Sequence, residues 1–155
     1  EGHIDQSLFA RNILDEKNGP PPEVNLFNEK NNGETLLKLI DGNLIKSAHD
    51  VSLGGIITAT AKMCIKGNKG INIKKPKYLI NEIEYLFAED QGRYIVEINK
   101  KDFKKVSDIL NKNAVHFDEL GIIAENALFI NDKTKVTIDE LSTSNKSWLI
   151  NYMSK

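Results

Sequence analysis

The residues best suited to chemistry crowd into one short run, SAHDVSLGG at residues 47–55, where a strand-like segment passes through His49 and Asp50 and enters an apolar segment through Ser52, Gly54 and Gly55. A nucleophile elbow needs glycine two places before its serine, and here Asp50 holds that place. His49 and Asp50 are adjacent, so on a strand their side chains leave on opposite sides and do not form a ready catalytic pair. His3, His49 and His116 are too scattered for a zinc site, and neither the phosphate-loop nor the dinucleotide glycine pattern occurs. No catalytic or metal-binding residue is assigned.

General physics leaves two readings of the glycines. A glycine-opened helix presents unpaired N–H groups at its positive end, where a phosphate can sit, with Gly54 and Gly55 admitting the anion and Ser52 adding a hydroxyl. Alternatively, the glycines allow close helix–sheet packing and Ser52 is the helix N-cap. A second polar cluster, Glu89, Asp90, Gln91 and Arg93, lies in LFAEDQGRY, residues 86–94. The Gln91 amide both donates and accepts, which suits a phosphate or a formyl-amide. The competing reading makes Gly92 a left-handed helix C-cap among solvated charges.

Elements must position these groups. Helical spacing predicts a helix over residues 6–15, with Leu8, Ile13 and Leu14 near one side, stopped by Gly19 and Pro20–Pro22. Val24, Leu26, Phe27, Leu36, Leu37, Leu39 and Ile40 predict an amphipathic helix, interrupted in composition at Asn31–Gly33. Residues 44–50 read as a strand and 54–67 as a mostly buried helix, in which Ile56, Ala59, Thr60, Met63 and Cys64 share a face. Strands are predicted at 70–74 and 92–98, and a helix at 79–90 places Leu79, Ile83, Leu86 and Phe87 on one face. A helix over 102–113 starts at Asp102 as N-cap, with Phe103, Val106, Ile109 and Leu110 inward. Three short strands, 120–125, 127–131 and 135–139, precede a short closing helix with Trp148. The expected class is α/β (α+β), a mixed β-sheet flanked by helices. Residues 1–22 form a leading helix and proline-rich linker, and residues 23–155 a single α/β domain.

Composition limits the partners. With 40% hydrophobic and 28% charged residues the chain can bury one core, and its net charge of -1 gives no field to draw it onto nucleic acid or an anionic membrane. The lysines at 62, 66, 69, 74, 75 and 77 lack neighbouring aromatic residues for base stacking and read as a solvated turn. No apolar run approaches the ~18 residues of a membrane span. A single cysteine, Cys64, excludes an internal disulfide and fits a reducing cytoplasm as a buried, inert thiol. The chain starts at Glu1 rather than Met, which suggests a piece of something longer.

The motifs SAHDVSLGG, LFAEDQGRYIVEI and SWLINYM, preceded by GHIDQSLFARNI and PPPEVNLFNEKNNGETLLKLI, resemble in order the C-terminal region of the phosphoribosylformylglycinamidine synthase family over nearly the whole chain. That family has Asp where Leu53 sits and Gly or Ser where Ala88 sits. The resemblance implies a fold like the C-terminal domain of aminoimidazole ribonucleotide synthase. It also implies membership in a ligase that converts formylglycinamide ribonucleotide, glutamine and ATP to formylglycinamidine ribonucleotide, glutamate, ADP and phosphate. In such an enzyme the core is two copies of a two-domain unit, and this chain looks like the second domain of the second copy. ATP and magnesium would then be bound mainly outside it, and the catalytic residues would lie upstream. Its partners would be the other synthase domains and a glutaminase domain or subunit. A stand-alone module binding a phosphorylated metabolite at Gly54 and Gly55 is the alternative.

Overall fold

A computed structural model describes residues 2–74 and 81–154. Its elements run α1 (Leu8–Asn12), α2 (Leu26–Asp41), β1 (Ile45–Asp50), α3 (Gly55–Gly67), β2 (Gly70–Ile73), α4 (Glu82–Phe87), β3 (Tyr94–Ile98), α5 (Phe103–Lys112), β4 (Gly121–Ala124), β5 (Ala127–Ile130), β6 (Thr134–Thr137) and α6 (Ile138–Met153). They divide into two units, Glu1–Ala59 with Asn81–Asp118 and Thr60–Ile80 with Glu119–Lys155.

In the first unit β1 and β3 form a two-stranded antiparallel ladder, pairing Ala48 with Val96 and Asp50 with Tyr94. Leu39 from α2, Leu44 before β1 and Val106 from α5 are its buried core, with Ile45, Ile98, Ile109 and Leu110 packed around them. Asn25 starts α2 by accepting the Asn28 N–H on its side chain. The helix runs unbroken through Asn31–Gly33. Its apolar residues are not all inward: Leu26, Phe27, Leu37 and Ile40 are exposed, and Thr35 and Leu39 are the buried ones.

The second unit holds a four-stranded sheet in the order β4-β2-β5-β6. Its β2 is antiparallel to β4 and parallel to β5, with Ile71 opposite both Ile123 and Leu128, so the sheet is mixed as the sequence implies. Ile71, Ile73, Ala127, Leu128 and Ile138 are buried. Besides this mixed sheet, β1 and β3 form a second sheet of two strands.

Several local expectations need correction. The first helix ends at Asn12 and buries Ala10, leaving Leu8, Ile13 and Leu14 exposed. A 3-10 turn, Lys100–Asp102, precedes α5, and Asp102 is already helical, so it makes no side-chain cap. Phe103 is 41% exposed rather than inward. Ile83 of α4 is exposed while Leu86 is buried, and Leu79 lies outside the described residues. The closing helix is 16 residues long. It begins at Ile138 because Thr137 and Glu140 form a reciprocal capping box, a pattern visible in TIDE that outweighs the strand reading of Ile138 and Asp139. Thr137 hydrogen bonds, side chain first and then backbone, lower the Glu140 pKa.

Candidate functional site

The two polar runs singled out by sequence meet in the first unit. At the end of β1, Val51 donates its N–H to the Arg93 carbonyl at 2.8 Å, joining the segment 51–55 to the turn that precedes β3. Gly54 and Gly55 have φ of +82° and +69°, the left-handed region. A Cβ on Gly55 would stand 2.6 Å from the Leu86 carbonyl oxygen and 2.7 Å from the Phe87 carbonyl carbon. The mouth of α3 thus lies directly on the backbone at the end of α4, an approach only glycine permits.

The mouth already holds an anionic group. Glu89 Oε1 accepts the Gly54 N–H at 2.7 Å and the Leu8 N–H, at the start of α1, at 2.8 Å. A carboxylate from the chain itself therefore sits where the sequence admits a phosphate. Next to it Asp90 is buried, 5% exposed, and its Oδ1 accepts the His3 N–H at 3.1 Å and the Gly2 N–H at 3.5 Å. Arg93 lies 3.5 Å from the other Asp90 oxygen and donates to the Ala88 and Asp90 carbonyls. Burying a charged carboxylate is costly without partners, and these donors satisfy it. The rings of Phe9 and Phe87 meet at 4.7 Å across the same junction.

Other candidates separate from this network. Ser52 is exposed, and its backbone carbonyl, not its hydroxyl, takes the Gly55 N–H at 3.0 Å. Gln91 is exposed. Gly92 is left-handed at φ +66°, as expected, but α4 ends earlier, on an extended Ala88, so Gly92 turns the chain into β3 instead of capping the helix. Its carbonyl accepts from the Asn32 side chain of α2 at 3.0 Å. His49 and Asp50 do alternate along β1, yet the His49 ring curls back: Nδ1 is 2.6 Å from the Asp50 carbonyl and 3.3 Å from its carboxylate. The pair has no nucleophile in reach among the described contacts.

Sequence reasoning noted Asp90 only as part of a polar cluster and did not see its burial. Its partners, His3 and Gly2, lie 87 and 88 residues away, so no local pattern signals them. Cys64 is buried, and desolvation pushes its pKa up to about 11, so it stays a neutral thiol at ordinary pH. Among the described residues there is no group of three or more His, Cys, Asp or Glu that could hold a metal ion. Among them, too, no helix is long and apolar enough to cross a membrane.

Together these features define an α/β domain in which a glycine-opened helix is wedged against a neighbouring turn and locked by an internal carboxylate. The chain belongs to the AIR synthase related protein family, C-terminal domain, whose model matches residues 6–131. Over 153 residues it is 69% identical to phosphoribosylformylglycinamidine synthase subunit PurL of Pelagibacter ubique (strain HTCC1062), and 36% identical to the same subunit of Bartonella henselae. In both cases it covers 99% of this chain and 21% of the relative, so the chain spans about one-fifth of the curated proteins it matches. A solved structure of T. maritima PurL complexed with FGAR superposes with TM-score 0.72 at 22% identity, covering 86% of this chain and 24% of that one. At that identity the likeness establishes the fold. A more distant neighbour, the HypE-HypF complex, matches with TM-score 0.56 at 18% identity over 88% of this chain and 50% of that one.

Proposed function

We propose that this chain is the C-terminal domain of a phosphoribosylformylglycinamidine synthase, the ATP-dependent ligase that transfers nitrogen from glutamine to formylglycinamide ribonucleotide. The observation that carries this reading is the 69% identity to the Pelagibacter ubique subunit over 153 residues. In this role the domain supplies no catalytic residue and belongs to the second of two related units, working in the cytoplasm with the other synthase domains and a glutaminase. Related T. maritima structures are described as complexed with ATP and as PurLQS, which supports ATP use and assembly by the parent enzyme. ATP and magnesium are held mainly outside this chain. This assignment agrees with a helix mouth whose Gly54 amide is already taken by Glu89.

Ser52, Gly54, Gly55 and Gln91 then line a noncatalytic cleft. Gly54 and Gly55 serve packing there, while Ser52 and Gln91 remain the exposed polar groups. The test is replacement of the matching fifth of the Pelagibacter ubique subunit by this chain in a purine auxotroph lacking that subunit. Growth without added purine is expected; a well-folded fusion that leaves the auxotrophy intact refutes the assignment.

A further inference from the structure

The last two turns of α6 are unlike the surface of a finished domain. Trp148, Leu149, Ile150, Tyr152 and Met153 are all exposed, from 55% to 75%. At the ~100° per residue of an α-helix, these five side chains fan over about 200° of the helix circumference. A helix resting on a flat surface shows an apolar stripe of only about 100°. Ser147 and Asn151 occupy the remaining side, and no Lys, Arg, Asp or Glu interrupts residues 147–153. Trp148 and Tyr152, one turn apart, stack with ring centroids at 5.8 Å and an interplanar angle of 11°, a preformed aromatic ledge. Aromatic residues and Met with charge excluded are the composition of a buried interface centre, and Trp and Tyr dominate binding energy there.

We propose that the segment Trp148–Met153 is a docking plug that inserts into an apolar groove on the remainder of the longer synthase chain. The proposal rests on the functional reading above. Two observations select this occupant over a second copy. A two-fold contact between copies of α6 covers the facing stripe of each helix and leaves about half of the arc wet, whereas a groove covers it from both sides. The relatives that match this chain almost end to end are also about five times its length, so a covalently attached partner surface is present at high effective concentration.

The experiment is hydroxyl-radical footprinting by mass spectrometry, read separately at Trp148, Tyr152 and Met153, on this chain alone and on its fusion to the rest of the Pelagibacter ubique subunit. The free chain is expected to label rapidly and independently of concentration, and the fusion to label at least about tenfold more slowly at all three residues. A Leu149→Glu, Tyr152→Glu double substitution is expected to leave the melting temperature of the free chain unchanged and to abolish that protection in the fusion. Labelling of the fusion as fast as the free chain overturns the proposal, and if such a fusion still supports growth the functional reading survives. Protection that arises in the free chain as its concentration rises identifies a second copy as the occupant and overturns it as well. Should the fusion not accumulate, this chain is co-expressed with the other four-fifths or so of the subunit as a separate polypeptide. Co-purification with the same footprint supports the proposal, and failure to co-purify overturns it.

Discussion

Glu89 ties together two segments that are distant in sequence. Its carboxylate accepts backbone N–H groups from Leu8 and Gly54, 81 and 35 residues away, and charge-assisted bonds of this kind contribute about 1.5–3 kcal/mol each when partly buried. The bond to Leu8 is exposed and heavily screened by water, so the expected total is close to that of the part-buried bond to Gly54 alone. Glu89→Ala should lower stability by about 2 kcal/mol, and Glu89→Gln, which keeps a neutral acceptor, by about half as much. Urea unfolding followed by circular dichroism measures both; equal midpoints for wild type and Glu89→Ala would show that the carboxylate is idle. Asp90 acts beside it on Gly2 and His3. The tandem acids therefore hold the segment before α1 as well as α1 itself, and the run legible in sequence as a solvated polar cluster is a fastening.

At the scale of elements, the same junction depends on how closely α3 meets the end of α4. Gly55 is doubly constrained, by φ of +69° and by backbone atoms of Leu86, Phe87 and Ala88 within 2.8 Å of any Cβ. A left-handed L-residue costs about 1–2 kcal/mol, and displacing packed backbone adds to it. Gly55→Ala should therefore destabilise the chain by more than about 2 kcal/mol, a larger loss than Glu89→Ala, and lower its melting temperature accordingly. A calorimetric melting temperature within a degree or so of wild type would contradict the packing argument. Of the two readings the sequence left open, close packing has its geometric basis here, although the contact is with backbone at a helix end and not with a sheet. Helices and strands were legible because apolar periodicity and turn residues act over a few positions. Residues 135–139, KVTID, read as a strand, yet α6 already begins at Ile138, where the capping hydrogen bonds of Thr137 and Glu140 prevail.

At the scale of the whole molecule, large apolar residues are exposed on several elements. They include Leu26, Phe27, Leu37 and Ile40 on α2, in the first unit, and Trp148, Leu149, Ile150, Tyr152 and Met153 at the end of α6, in the second. The chain spans about one-fifth of the length of the curated relatives it matches. Isolated, it should show no ammonia- or glutamine-dependent ATP hydrolysis above background in the presence of formylglycinamide ribonucleotide, measured by phosphate release. Turnover by these 155 residues would reverse the assignment of catalysis to the remainder of the synthase.

By itself the sequence determined the order of helices and strands, the burial of Cys64, the near-neutral charge that offers nucleic acid no general attraction, and motifs sufficient to reach the family. These depend on local periodicity, composition and contiguous runs of residues. Only the tertiary structure decided that β1 and β3 pair as a two-stranded sheet of their own, that Glu89 occupies the mouth of α3, and that Asp90 is buried against Gly2 and His3. The reason is that a hydrogen bond spanning 35 to 88 residues is specified by the fold that brings its ends together, while the residues on either side of each end carry no mark of the partner.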